Sequence, residues 1–89
     1  MKGVMALGDL SSLPNIGAVI EQKLNEAGIL TRERLMEFGG KGAFALIRAN
    51  DPDACFSMLC AIEGATRGIR WHRLTEAERR ELRQYFDGV

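Results

Sequence analysis

The stretch LSSLPNIGAVIEQKLNEAG, residues 10–28, carries the signals that decide the fold of this chain. Asp9, just before it, can cap a short first turn, and Pro14 ends that turn because its ring excludes the preceding residue from helical geometry. A second helix is predicted to begin at Asn15, since apolar residues recur from there at helical spacing. Gly28 is expected to end this helix as a left-handed cap. The segment therefore predicts two helical elements joined by a tight corner.

Similar signals continue through the rest of the chain. Thr31, Asp51 and Thr75 are typical helix-capping residues, and Thr75 opens a capping box with Glu78. Capping residues and apolar spacing predict further helices at 32–38, 43–50 and 53–66 and a last helix after Thr75, with a corner at Gly39, Gly40 and Gly42. No segment alternates apolar and polar residues as a half-buried strand does. The fold class is therefore predicted to be all-α, with five or six short helices.

The chain has the size and composition of one globular domain. Its 89 residues are 46% hydrophobic and 27% charged, which argues against global disorder. We expect a single domain over 9–87 after a flexible segment at 1–8. The core is expected to include Ile16, Val19, Ile20, Leu24, Ala27, Leu35, Phe38, Leu82, Tyr85 and Phe86. Without an apolar run of about 18 residues or a signal-peptide cleavage site, the chain is predicted to be cytoplasmic, with no membrane partner.

Few residues offer catalytic or metal-binding chemistry. Cys55 and Cys60 would project about 140° apart on one helix, too far for a disulfide, so both are expected to be reduced thiols in the core. Two cysteines and one histidine are fewer ligands than a zinc site normally needs. His72 is the only histidine, and its place beside Trp71 favours a structural role. We therefore predict no enzyme activity, no metal and no cofactor.

Three residues are predicted to have structural roles. Lys23 falls within the apolar stripe of its helix, so its stem is expected to snorkel or its ammonium group to meet a buried acid. Glu63 lies in an apolar helix and is expected to pair with Arg67 one turn later, or with Lys23. Trp71 is the only tryptophan and is expected to be largely buried, holding the exit of the fifth helix against the last helix.

Two groups of residues could bind a nucleic-acid phosphate. The first is the set of free backbone amides that opens a helix and can hold an anion, at Asn15, Ile16, Gly17 and Ala18. A helical corner without a ligand is the alternative for this motif. The second is the segment 67–86, which contains six arginines and three glutamates. The arginines, which could grip phosphate or form an ordinary solvated face, are Arg67, Arg70, Arg73, Arg79, Arg80 and Arg83.

Three motifs in order, LPNIG at 13–17, AIEGA at 61–65 and GIRWHRL at 68–74, resemble the C-terminal domain of the TfoX/Sxy family. That family consists of bacterial regulators of DNA competence for transformation, and the resemblance covers residues 10–86. It implies a small helical fold similar to helix-hairpin-helix (SAM-like) DNA-binding modules. By this resemblance residues 15–17 would form the hairpin, which in the similar RNA polymerase α-subunit domain touches the DNA backbone.

The chain departs from the helix-hairpin-helix pattern that this resemblance implies. That pattern usually has glycine where Asn15 stands, a small residue where Glu21 stands, and Lys or Arg where Ala18 and Val19 stand. A looser second hairpin is possible at 38–42. The regulators of the family also carry a separate N-terminal domain, so we expect the fold to transfer to this chain better than the competence-regulator role.

Two functions remain, and the charge balance limits the first. One is a regulatory module that binds the DNA phosphate backbone weakly and without sequence preference. The other is a protein interaction module that binds itself or a transcription regulator, with monomer and homodimer both open. A domain that binds DNA by bulk charge is strongly basic, whereas Lys+Arg and Asp+Glu each number 12 here. Any DNA contact must therefore come from a local patch or from backbone amides.

Overall fold

The computed structural model describes residues 10–88, and every regular element in that range is helical. The α-helices are α1 (Ala18–Glu26), α2 (Arg32–Asn50), α3 (Phe56–Arg67) and α4 (Glu76–Gly88). Two 3₁₀ turns lie at Leu10–Ser12 and Trp71–Arg73. The all-α class is therefore confirmed. The predicted flexible segment 1–8 and the predicted capping role of Asp9 lie outside the described residues.

Helix α2 consists of two limbs separated by one glycine. Gly39 has φ 73° and ψ 167°, a combination that is essentially restricted to glycine. Helical geometry resumes at Gly40, so the predicted third and fourth helices are the two limbs of α2, and 38–42 holds a break rather than a second hairpin. Thr31 caps the first limb as predicted, because its Oγ1 accepts a hydrogen bond from the Arg34 N–H at 3.1 Å.

The start of α3 differs from the prediction. The sequence predicts a helix over 53–66 capped by Asp51, but α3 begins at Phe56. The reason is that Asp51 closes a local turn instead. Its Oδ1 accepts from the Asp53 N–H at 3.1 Å, and its carbonyl oxygen accepts from the Ala54 N–H at 3.0 Å.

Asp51 is also the acid that meets Lys23. The Lys23 Nζ donates to Asp51 Oδ2 at 2.7 Å, and both side chains are about 30% exposed. The hydrogen bond with Asp51 raises the pKa of Lys23, and the same bond lowers the pKa of Asp51. The pair holds α1 against the turn before α3, so the alternative pairing of Lys23 with Glu63 is wrong.

Apolar side chains from all four α-helices form the core. Its largest fully buried members are Leu10, Leu24, Ile29, Leu35, Phe44, Ile47, Leu59, Ile62 and Leu82. Among the predicted core residues, Val19 and Phe38 are exposed instead, by 66% and 42%. Val19 lies in the first turn of α1, which begins only at Ala18. Phe38 is the last residue before the break in α2, and its ring packs under the guanidinium group of Arg34, 5.8 Å from the centroid.

The capping box at the start of α4 is confirmed. The Thr75 Oγ1 accepts from the Glu78 N–H at 3.1 Å, and the Glu78 Oε1 accepts from the Thr75 N–H at 2.7 Å. These reciprocal bonds satisfy donors that a helix start leaves without an intrahelical partner. They also fix the direction in which α4 leaves the second 3₁₀ turn.

Helices α2 and α3 form the most extensive helix pair, and their backbones meet at Gly40. A Cβ atom at this position would lie 2.7 Å from Glu63 Cα, which is closer than folded proteins tolerate. The missing side chain therefore permits the close approach of the two helices. This approach places Glu63 and the following residues of α3 against the second limb of α2.

The substitution Gly40→Ala should lower the free energy of unfolding by about 1–3 kcal/mol, because the added methyl group forces the Glu63 backbone to shift. Gly42→Ala is the matched control, since a Cβ there meets only the Phe38 side chain, at 3.7 Å. Alanine favours a helix over glycine, so this control should gain about 0.5–1 kcal/mol. Urea unfolding followed by circular dichroism measures both values, and equal stability of the two variants would contradict the close approach.

Candidate nucleic-acid interface

The hairpin between the first 3₁₀ turn and α1 is held by the side chain of Asn15. Its Nδ2 donates to the carbonyl oxygens of Ala61 at 3.2 Å and Ile69 at 2.9 Å. Its Oδ1 accepts from the Trp71 N–H at 3.1 Å. Asn15 therefore joins the hairpin to α3 and to the second 3₁₀ turn. The side chain is occupied within the protein, so only the backbone of this predicted phosphate-binding residue is left for a ligand.

The backbone of Asn15 explains why asparagine can replace the glycine of the hairpin pattern. Its φ of 70° lies in the left-handed region, which asparagine tolerates better than most residues with a side chain. Gly64 in α3 leaves the space for the amide group. A Cβ atom at Gly64 would lie 2.7 Å from Asn15 Nδ2 and 2.9 Å from the Ile69 carbonyl oxygen. The LPNIG and AIEGA motifs thus meet at this contact.

Of the backbone amides predicted to bind phosphate, those at the start of α1 are accessible to a ligand. Ile16 is buried, and its N–H points to the Leu13 carbonyl oxygen at 3.4 Å. Gly17 is the N-cap of α1 and provides no capping side chain. Gly17, Ala18 and Val19 are all exposed, and the first N–H groups of a helix have no intrahelical acceptor. These amides are therefore accessible to an anion.

Glu21 explains the second departure from the hairpin pattern. The residue is only 7% exposed, and its Oε2 accepts from the Leu10 N–H at 3.3 Å. The carboxylate therefore holds the first 3₁₀ turn against α1. A small residue at this position could not make that contact, so Glu21 has a structural role here.

A groove of about 510 Å³ opens beside the hairpin. Its lining residues are Asn15, Ile20, Cys55, Ser57, Met58, Ala61, Arg70, Trp71 and His72. The hydrogen bonds of Asn15 thus bring α1, α3 and the second 3₁₀ turn to one surface. None of the described lining residues is acidic. Ile20 and Met58 cannot be recognised as groove residues from the sequence, because apolar residues at helical spacing indicate a core in the absence of other signals.

Trp71 lies at the wall of this groove and is 48% exposed, so the prediction that it is largely buried is wrong. Its backbone is fixed by Asn15, and Leu74, which is 5% exposed, is the residue of this connection that enters the core. The Arg79 guanidinium group lies 5.3 Å from the Trp71 ring centroid, and the His72 ring meets it edge-on at 5.7 Å. A half-exposed ring cannot contribute the ~3–5 kcal/mol expected of a core aromatic residue.

Cys55 is also placed differently from the prediction. It lies one residue before α3, outside the helix in which it was predicted, and it is exposed at the groove. Cys60 is buried, and burial raises the pKa of its thiol. Within residues 10–88 no three His, Cys, Asp or Glu side chains are placed to hold a metal ion. None of the helices in this range is long and apolar enough to cross a membrane.

Arg67 is held by two carboxylates. Its Nε donates to Glu63 Oε2 at 2.9 Å and its Nη1 to Glu78 Oε2 at 2.7 Å. Of the two partners predicted for Glu63, Arg67 is therefore the one confirmed. The Thr75 N–H, and more weakly the charge of Arg67, lower the pKa of Glu78. Arg67 therefore links α3 to α4, and its charge is offset at the surface.

The other arginines are distributed over three surroundings. Arg83 packs over the Phe56 ring, 5.0 Å from its centroid, and lies 3.5 Å from Asp87. Arg80 is exposed in a depression that also contains two glutamates of α4. The remaining three, Arg70 in the groove wall, Arg73 in the second 3₁₀ turn and Arg79 over Trp71, have no carboxylate partner within residues 10–88. Three of the predicted six thus belong to the groove or to the segments next to it: Arg70 lines the groove, Arg79 packs over Trp71, and Arg73 ends the 3₁₀ turn that holds Trp71 and His72.

Replacement of Asn15 should separate its hydrogen bonds from its backbone conformation. Asn15→Gly keeps the left-handed backbone and removes the three hydrogen bonds, so it should lower the free energy of unfolding by about 2–4 kcal/mol. Asn15→Ala should lose about 1 kcal/mol more, because alanine disfavours positive φ. Urea unfolding monitored by Trp71 fluorescence measures both variants. An Asn15→Gly protein as stable as the wild type would show that the amide contacts do not hold the hairpin.

Two similar solved structures share the fold of this chain. One similar solved structure, an uncharacterized protein from Listeria monocytogenes in a triclinic crystal form, is 51% identical with a TM-score of 0.86, over 89% of this chain and 90% of that one. A tetragonal form, described as a protein of unknown function from the same organism, is 50% identical with a TM-score of 0.86, over 88% and 96%. No curated protein matches significantly.

The family match covers the hairpin, the groove and most of α4. The TfoX C-terminal domain matches residues 7–86, and this range includes Asn15, Gly64, Trp71 and the three arginines around the groove. The resemblance of the three sequence motifs is thereby confirmed. The chain belongs to the TfoX C-terminal domain family.

Proposed function

We propose that this chain is a non-enzymatic regulatory module that binds the DNA phosphate backbone weakly and without sequence preference. The observation that carries the proposal is the joining of two phosphate-binding features by one side chain. Asn15 contacts the backbone of Trp71 directly and lines the same groove as Arg70, and Gly17, the N-cap at the exposed start of α1, follows Asn15 by two residues. Each feature alone is common on protein surfaces, and their juxtaposition favours binding of an anionic polymer.

The contacts available at this surface suit phosphate rather than base edges. The amides of Gly17 and Ala18 can donate to a phosphate oxygen at the helix start, where the helix dipole also favours an anion. Arg70 and Arg73 can add bidentate contacts to neighbouring phosphates. Contacts of both kinds position a protein on DNA without reading its sequence.

The charge balance of the chain predicts low affinity with marked salt dependence. The formal net charge is zero, so long-range attraction to DNA is small. About two or three phosphates would be neutralised by Arg70, Arg73 and Arg79, which gives a slope of log K against log salt of about −2 to −3. Binding is therefore expected at low ionic strength and in the micromolar range or weaker.

Removal of Arg70 and Arg73 tests this proposal. Arg70→Ala combined with Arg73→Ala should weaken binding to a fluorescently labelled DNA duplex about tenfold or more at low salt, and reduce the salt slope by about two. Arg32→Ala combined with Arg34→Ala removes the same charge from exposed positions of α2 outside the groove, and should leave affinity within about twofold. Equal losses in both double variants would point to bulk charge, and absence of binding by the wild type at about 50 mM salt would exclude DNA binding.

A second arm of the same experiment examines the helix start. Gly17 has open space around a Cβ atom and no positive φ, so a side chain is accommodated there. Gly17→Asp places a carboxylate on the free amides and should abolish binding at this end, whereas Gly17→Asn caps the helix without a charge. Both variants should be at least as stable as the wild type, because Asp and Asn are favoured N-caps. DNA binding by Gly17→Asp at wild-type affinity would remove the amides from the interface.

Protein interaction is the alternative, and exposed apolar side chains favour it. Leu30, Met36 and Phe38 are exposed by 45%, 46% and 42% within one short stretch of chain. An apolar interface, whether with a second copy or with a transcription regulator, would persist at high salt. Sedimentation over a range of protein and salt concentrations would reveal self-association of this kind.

A further inference from the structure

Trp71 presents a large aromatic ring at a surface groove. The residue is 48% exposed, and it lines the groove together with Ile20 and Met58. The guanidinium group of Arg79 lies 5.3 Å from the ring centroid and supports the ring without burying it. A tryptophan that is fixed by its backbone and yet half exposed offers a flat apolar surface to a ligand.

The groups around this ring are cationic or neutral. Arg70 and His72 line the same groove, and Arg73 follows in the same 3₁₀ turn. No acidic residue is found among the described lining residues. The groove therefore suits a ligand that combines planar apolar groups with negative charge, and nucleic acid has this composition in every nucleotide.

We infer that Trp71 stacks against an unpaired base of single-stranded DNA while Arg70 and Arg73 contact the adjoining phosphates. This inference rests on the proposed function and specifies its substrate class. In a duplex the faces of the bases are covered by their neighbours, so a ring in a groove can reach a base only where the strand is unpaired. Base stacking on aromatic side chains tolerates any sequence, as the phosphate contacts at this surface do.

The dimensions and chemistry of the groove fit this occupant. A volume of about 510 Å³ accommodates one base beside the indole ring, with Ile20 and Met58 as further apolar contacts. The cation–π contact of Arg79 with the ring helps to hold the indole in place. An acidic peptide with one apolar side chain is the competing occupant, and the experiment below includes it as a separate probe.

The single tryptophan makes the test specific, because all indole fluorescence comes from Trp71. Three probes of about twelve units each are compared at low salt: single-stranded oligo-dT, an abasic strand with the same phosphates, and a duplex of the same length. Oligo-dT should quench the fluorescence of Trp71 and bind more tightly than the abasic strand and the duplex. An Asp/Glu-rich peptide containing leucine should neither quench nor compete.

Two variants separate stacking from phosphate binding. Trp71→Ala should weaken oligo-dT binding by about 5- to 100-fold, which is the expected effect of losing one stacked base. It should leave binding of labelled abasic strand and duplex unchanged. Trp71→Phe keeps an aromatic face and should retain most of the oligo-dT affinity. Circular dichroism and thermal melting of both variants confirm that they are folded.

The possible failures of this inference and of the proposed function are distinguishable. Equal affinity for oligo-dT, the abasic strand and the duplex, without quenching, overturns base stacking and leaves phosphate binding in place. Quenching by the acidic peptide alone overturns the inference in favour of a protein partner. If none of the three nucleic-acid probes binds, both the inference and the proposed function are wrong.

Discussion

The three hydrogen bonds of the Asn15 side chain are the constraint on which the rest of the surface depends. They connect the hairpin to α3 through the Ala61 carbonyl oxygen and to the second 3₁₀ turn through Ile69 and Trp71. Gly64 makes the contact possible by leaving space for the amide group. Because these partners are more than forty residues away in sequence, one side chain connects distant parts of the chain and positions the groove.

The helical class and several helix ends could be predicted because they depend on local chemistry. Thr31 and the capping box of Thr75 are confirmed, since a cap needs only residues within one turn. The predicted start of α3 is wrong because Asp51 could either cap the helix or close a turn before it. In the structure Asp51 closes the turn, and its side chain also binds Lys23. The exposure of Trp71 could not be predicted from the sequence, because it depends on a tertiary contact of its backbone with Asn15.

Most residues of the candidate site could be identified from the sequence, but the sequence could not show which of them are available to a ligand. The arginines were identified as a group, yet Arg67 is neutralised by Glu63 and Glu78, and Arg83 lies against Asp87 and aromatic rings. Only the spatial arrangement separates paired arginines from available ones. The departures of Asn15 and Glu21 from the hairpin pattern have physical explanations, as a left-handed backbone and a buried contact with the first 3₁₀ turn.

The central claim is that the start of α1 and the second 3₁₀ turn form one nucleic-acid surface. The most direct measurement is an NMR titration of isotopically labelled protein with short single-stranded DNA, followed through backbone amides and the indole N–H. The account predicts that the largest shifts occur together at Gly17, Ala18, Arg70 and the Trp71 indole, with a common affinity. Shifts confined to 30–38, or no shifts at low salt, would contradict it.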